Sequence, residues 1–327
     1  MEFKETARLT PEVRAQRKYP KSDDARCRDG MLFPAFQPKF PMRFDADTVV
    51  FAIGSCFARN VEEALEPSGV RLPTYALTAD PSEKTGRARS LINEFTPGCI
   101  QQRILSALDG RPLSDKTIVP QGREFIDLLL PTMASVTLER AKERRTEIDG
   151  IYRELVRADL VVITLGFVES WYDQETRLYL NRRPPRMPGK AQSTRYIFKR
   201  LDVDECMALL APAFDAMAAK GLKILLTVSP VPLGLTFSGD DCVIANEFSK
   251  SVLRICAERL CRSTNVDYFP SYEIVRSAGL ASYLDDNRHV KADVVEKVTG
   301  YMIEAYTGRA HIASSEEART EAVGLAD

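Results

Sequence analysis

Four apolar runs punctuate the chain. Val49 to Ile53 is continuous and apolar. "ADLVVITLG" ends at Gly166, "KILLTVSPVP" begins at Lys223, and "VDYFPSYEIV" holds a shorter fourth run. None alternates cleanly with polar residues, so each reads as a strand buried on both faces. Between them apolar residues recur at the 3.6-residue helical period. Helices are expected from about Ala58 to Leu65 and in "NEFTPGCIQQRILSAL", which starts through the cap Thr96 and Pro97. A third is expected over Ser135 to Arg157, where Ile148, Ile151 and Leu155 share a face, and a fourth from Val203 to Lys220, where Pro212 should kink or divide it. "CVIANEFSKSVLRICAERLC" and "HVKADVVEKVTGYMIEAY" supply the last two.

Strands alternating with amphipathic helices imply an α/β chain with a central parallel sheet covered on both faces. Sites in such folds form beyond the carboxyl ends of the strands. Three stretches sit at those ends: "GSC", "LGFVES" and "SPVPL". A polar loop carrying Trp171 is expected after the second strand. Residues 1–44, rich in proline and charge, read as an irregular arm packing on the domain through its aromatics. Residues 45–307 read as one catalytic domain with a helical and a basic-loop insertion, and 308–327 as a disordered tail.

Composition narrows the function classes. The 327 residues are 44% apolar, enough for a substantial core, and the net charge of −1 offers no global field for nucleic acid or a membrane surface. No run is long enough to span a membrane, and "MEFKETARLT" lacks a secretory apolar core. Seven cysteines without CxxC spacing suggest a reducing, cytoplasmic setting rather than a disulfide or zinc framework. No metal or organic cofactor is implied, and oligomeric state is open.

The histidines number two, His289 and His311. Ser55 stands where a strand turns into a helix, and a helix N-terminus can hold an oxyanion while the hydroxyl attacks a carbonyl. "DDNRHV" places Asp286 three residues before His289, as an orienter and a base would be. The plainer readings are an N-cap or phosphate turn at Ser55 and a surface hydrogen bond at His289. Position and composition alone leave the two sets level.

"IGSCFA", together with "LINEFTPGCIQQ", "TLGFVESW", "LLTVSPVPL", "FSKSVLR" and "VDYFPSYEI" in that order, resembles the GSCFA family, a branch similar to the SGNH (GDSL-type) hydrolases. The likeness spans roughly Val49 to Tyr306. It implies a flavodoxin-like three-layer α/β/α sandwich and a Ser-His-Asp site for an acyl ester, with an acetylated carbohydrate or glycan as substrate partner. An O-acyltransferase of polysaccharide biosynthesis is the near alternative, and a non-catalytic carbohydrate-binding or scaffolding module the distant one. The resemblance assigns Ser55 as nucleophile, His289 as base and Asp286 as orienter. The SGNH Gly-Asp-Ser signature is not kept, since Gly54 directly precedes Ser55. In the Gly-x-Asn-Asp block, Gly166 to Glu169, Val168 replaces the oxyanion-hole Asn. The expected oxyanion donors are therefore the Ser55 N–H and Asn93.

Cys56 competes as a thiolate at a helix start, but the resemblance favours Ser55. Gly166, Glu169 and Trp171 are candidates for the substrate wall, the last two as a carboxylate beside an aromatic platform or, alternatively, as a cap and a core residue. Lys250 and Arg254, four apart on one helix, either bind an anionic substrate or are solvated. The same pair of readings applies to the four arginines and one lysine between Arg177 and Lys190.

Overall fold

The structure, a computed structural model, describes residues 18–78, 88–131, 134–185 and 194–308. The expected tail beyond residue 308, the first part of the arm and the end of the basic loop, 186–190, lie outside the described residues.

Strand β1 (Val50–Gly54) leads into helix α1 (Cys56–Leu65), and α2 (Pro97–Asp109) and α3 (Leu138–Arg153) follow. Strand β2 (Leu160–Leu165) is succeeded by β3 (Glu169–Asp173), β4 (Leu178–Leu180) and β5 (Tyr196–Arg200). Then come α4 (Val203–Ala219), β6 (Lys223–Val228), α5 (Cys242–Leu260), β7 (Val266–Tyr268), α6 (Ser271–Ser277) and α7 (Ala292–Thr307).

The central sheet has the order β7-β6-β2-β1, all parallel, with Gly54 opposite Thr164 and Leu165 opposite Val228. Beyond β1 a further strand is reduced to two single parallel bridges, Val49 to Arg71 and Gly54 to Asn93. The chain leaves the sheet in opposite directions from β1 and β2, which makes the end of β1 the topological switch point.

Alternate side chains sort the helices into two layers. Phe51, Ile53, Val161, Ile163, Ile224 and Leu226 pack with α2, α3, α4 and α5. Val50, Ala52, Leu160, Val162 and Leu225 pack with α1, α6 and α7. The chain is thus an α/β/α sandwich. Ile53 and Ile163 are fully buried, so truncating either to alanine would cost roughly 2–5 kcal/mol. Phe33, Phe36, Phe40 and Phe44 of the N-terminal segment pack edge-on or tilted against Phe269, Tyr301 and Tyr306.

The helix boundaries follow their caps. The hydroxyl of Thr96 accepts from the Cys99 N–H, Pro97 occupies the first turn, and left-handed Gly110 closes α2. Asp202 and Glu205 form a capping box on α4. That helix continues through Pro212 to Ala219 rather than dividing there. Its buried face, including Leu210, Ala213, Phe214 and Met217, holds it to the sheet where one backbone hydrogen bond is forfeited.

Trp171 does not lie in a loop. It stands on β3, the centre of an antiparallel sheet of order β4-β3-β5. These strands are short and polar, and their small core of Val119, Ile126, Leu128, Leu129, Leu180 and Tyr196 is assembled with a hairpin at 118–127. No local apolar run announces them.

Candidate active site

The site is built on the turn after β1. Gly54 has φ +130°, and a Cβ there would run into the backbone of Thr164, so only glycine fits. That close approach lets the Ser55 N–H donate to Thr164 Oγ1 at 2.9 Å and to its carbonyl at 3.2 Å. Ser55 is 3% exposed. Its Oγ lies 3.1 Å from Thr164 Oγ1 and accepts from the Phe57 N–H at 3.3 Å, capping α1. The N-cap reading of Ser55 is therefore realised, whatever else the hydroxyl does. The Ser55 N–H, expected to face an oxyanion, is instead tied into the sheet. The next N–H, of Cys56, opens α1 and has no acceptor within the helix. Burial pushes the Cys56 thiol above its ordinary value, with Lys250 and Arg288 pulling weakly the other way. A thiol so held is protonated at neutral pH and a poor rival nucleophile.

Asn93 lies beside this turn. Gly54 and Asn93 form a parallel bridge, and the next N–H, of Glu94, donates to the Gly54 carbonyl at 2.8 Å. Asn93 is 4% exposed, and its Oδ1 is buried with no hydrogen-bond partner among the described residues. A buried amide oxygen without a partner is costly, and the Nδ2 of the same side chain is the group that could donate to an oxyanion. Asn181, which the sequence reading missed, holds the segment in place. Its Nδ2 donates to the Asn93 carbonyl at 2.8 Å and to Glu94 Oε2 at 2.5 Å, and its Oδ1 accepts from the Phe95 N–H at 3.3 Å. Arg103 Nε holds the other oxygen of Glu94 at 2.8 Å. Burial drives the Glu94 carboxyl up to about 7 despite that ion pair. Neither Asn181 nor Thr164 carries a spacing signal that single-sequence reasoning could use.

The turn before α7 supplies the titratable pair. His289 Nδ1 lies 2.5 Å from Asp286 Oδ2, and Asp286 Oδ1 accepts the N–H groups of Arg288 (2.9 Å) and His289 (3.0 Å). Those backbone donors, with the imidazole behind them, hold the Asp286 carboxyl well below the usual carboxylate range. Both side chains are exposed. Among the described residues, no hydrogen bond joins the His289 ring to Ser55. The turn reaches the loop after β6. Arg288 packs on Gly234 of the loop after β6, where a Cβ would strike its guanidinium, and its charge is felt at Cys56.

The four residues expected to bind substrate, Gly166, Glu169, Trp171 and Lys250, all have packing or hydrogen-bonding partners within the chain. Gly166 is buried as a spacer: its N–H and that of Phe167 both donate to the Phe95 carbonyl at 3.1 Å, and a Cβ would meet that same oxygen. Lys250 is neither solvated nor turned to a ligand. It is 1% exposed, and Nζ donates to the carbonyls of Gly166 (2.7 Å), Ser229 (2.8 Å) and Val231 (2.8 Å). It clamps the loops after β2 and β6, and burial drops its ammonium to about 7. Its partner in spacing, Arg254, faces outward to Glu258 and Glu273. Glu169, 6% exposed, accepts from Thr236 Oγ1 (2.7 Å) and the Phe237 N–H (3.1 Å), latching the loop after β6. Trp171 is half-buried against Phe198 and Phe237, with ring centroids 5.6 and 5.5 Å away. Val168 is wholly buried, with its N–H on Ser249 Oγ, so it replaces the expected Asn with core packing.

Among the described residues no group of three His, Cys, Asp or Glu could hold a metal ion, and no helix is long and apolar enough to cross a membrane.

An α/β/α sandwich with a serine at its switch point and an Asp-His pair before its last helix defines the class. The chain belongs to the GSCFA family, which it matches over residues 49–301. No curated protein matches the sequence. Among solved structures it is similar to a GDSL-like lipase from Bacteroides thetaiotaomicron, at 12% identity and a TM-score of 0.36 over 79% of this chain and 88% of that one. It is also similar to a mutant acetyl-xylooligosaccharide esterase from Geobacillus, at 12% identity and a TM-score of 0.33 over 80% of this chain and 96% of that one.

Proposed function

We propose that the chain is an SGNH-type serine ester hydrolase that removes an O-acyl group, acetyl in the simplest case, from a carbohydrate through an acyl-enzyme. The carrying observation is the His289–Asp286 pair, pinned by two backbone N–H groups on a turn whose Arg288 charge is felt at Cys56, the neighbour of Ser55. Ser55 Oγ attacks the acyl carbonyl and His289 Nε2 accepts its proton. Asp286 fixes the tautomer with the proton on Nδ1. The tetrahedral oxygen is held by the Cys56 N–H and the Asn93 amide. Collapse expels the alcohol, which takes the proton back from His289, and water repeats the sequence on the acyl-enzyme. The first transfer needs His289 Nε2 within about 3 Å of Ser55 Oγ once substrate is bound.

Transfer of the acyl group to a second sugar hydroxyl uses the same intermediate and differs only in the acceptor. The reading from another class is a carbohydrate-binding module, favoured by the engagement of the Ser55 N–H and hydroxyl with Thr164. Release of acetate from 4-nitrophenyl acetate and from acetylated xylo-oligosaccharides, with and without a sugar acceptor, separates the three. A hydrolase releases acetate in both settings, a transferase acylates the acceptor, and the module does neither.

A further inference from the structure

A second feature lies away from the serine. One face of the β3–β5 sheet carries Ser170, Tyr172, Tyr179 and Lys199, by the register that pairs Tyr172 with Tyr179 and Ser170 with Lys199. This face packs on α2. Ser170 Oγ lies 3.3 Å from Thr96 Oγ1 at the helix start, and Gly98 makes room for the Tyr179 ring. Past that contact the two elements diverge. An open groove of about 510 Å³ runs between the α2 side chains Gln101, Leu105 and Asp109 and the hairpin residues Tyr172, Arg177 and Leu178. Gln101 stands five residues beyond Thr96, so the groove opens roughly 8 Å along the helix from its start, which follows the Asn93 segment bridged to Gly54.

The groove is cationic, and two of its charges lack carboxylate partners. Arg111, Arg177 and Lys199 line it against a single acid, Asp109, which Arg111 occupies at 2.7 Å. Among the described residues, Arg177 and Lys199 form no ion pair. Lys199 is instead steadied over the rings of Tyr172 (4.6 Å) and Tyr179 (5.7 Å). The Gln101 amide is also unengaged among the described residues. The volume far exceeds a simple inorganic anion, and the lining mixes leucine surface, tyrosine rings, an amide and fixed cations. That set suits a ring with apolar faces, hydroxyl groups and a negative charge.

We propose that this groove is an accessory site for an anionic saccharide, one bearing carboxylates or phosphates. Lys199 and Arg177 take the charge and Gln101 a hydroxyl. The site stands whether or not Ser55 cleaves esters, and it would lead an acidic glycan along α2 toward the sheet end.

The test is isothermal titration of the full chain, at low salt, with a galacturonate hexamer, glucose 6-phosphate and neutral xylohexaose. At least one anionic sugar should bind and the neutral one should not. Which anion binds separates the carboxylate from the phosphate source. The R177Q/K199Q double variant should bind at least tenfold more weakly while keeping its thermal midpoint and its rate on a small soluble ester. Ser55→Ala should bind as the unaltered chain does. Failure of both anionic sugars to bind, equal binding of the neutral one, or unchanged binding by the double variant would each overturn the assignment.

Discussion

His289 and Asp286 form a closed unit: one carboxylate oxygen meets Nδ1 at 2.5 Å while the other accepts the N–H groups of Arg288 and His289. The carboxylate cannot turn away from the imidazole without giving up both backbone bonds, so the ring's Nε2 is the nitrogen left to work. Replacing Asp286 by Asn should lower kcat on a small acetyl ester by ~10²–10⁴-fold. Asp285→Asn, which touches none of these bonds, should stay near normal. Because Asp286 is held below the usual carboxylate range, it stays ionised through mild acid, and the pH–rate profile should show no inflection from it above pH ~4. A crippled Asp285→Asn enzyme beside an active Asp286→Asn enzyme would move the orienter by one residue.

Asn93 is a buried amide bridged to the serine turn, and its Nδ2 is the candidate donor to the oxyanion. Asn93→Ala should reduce kcat by ~10²–10³-fold with little change in KM, since a donor aimed at the developing oxyanion acts mainly in the transition state. Its thermal midpoint should hardly fall, because the lost side chain leaves no partner unsatisfied. A loss confined to stability, with kcat intact, would make Asn93 a structural turn residue.

Much of this architecture was legible in the chain. The continuous runs at Val50–Gly54, Leu160–Leu165 and Lys223–Val228 carry the pattern of buried parallel strands, and Thr96-Pro97 and Asp202 mark helix starts with residues whose chemistry is local. What stayed hidden is non-local. Lys250 and Arg254 share a spacing that reads as one exposed face, yet α5 turns Lys250 toward three carbonyls that sequence cannot place beside it. Strand β3 is defined by partners in β4 and β5 rather than by its own composition, so Trp171 read as loop. Thr164 and Asn181 act on Ser55 and Asn93 across separations of 109 and 88 residues. Single-residue contacts at that range leave no periodic trace.

Glu94 gives the fold a pH signature. Its carboxyl is raised to about 7 in the folded chain, against ~4.3 when unfolded. Between those values the folded state binds more protons, so this group's contribution is fully present below the unfolded value and declines as pH rises through the folded one. The thermal midpoint of the unaltered chain should therefore fall relative to that of Glu94→Gln from pH 5 to pH 8. A difference that does not change with pH would mean that Arg103 keeps Glu94 ionised throughout.

Ser55 also caps α1, so Ser55→Ala should cost about 1 kcal/mol of stability, a shift of a few degrees in the thermal midpoint, measured by calorimetry. Ser55→Asp or Ser55→Asn, which retain a capping oxygen, should recover part of that loss without recovering activity. Recovery of ester cleavage by either variant would separate the cap from the nucleophile and remove Ser55 from the chemistry.

The central claim is that Ser55 is a nucleophile. The most direct measurement is the intact mass of the chain after exposure to a fluorophosphonate, followed by peptide mapping. The account predicts a single phosphonyl adduct on Ser55, its absence in Ser55→Ala, its marked slowing in His289→Ala and its persistence in Cys56→Ala. An unmodified Ser55 in a folded chain, or an adduct that survives Ser55→Ala on another residue, would contradict it.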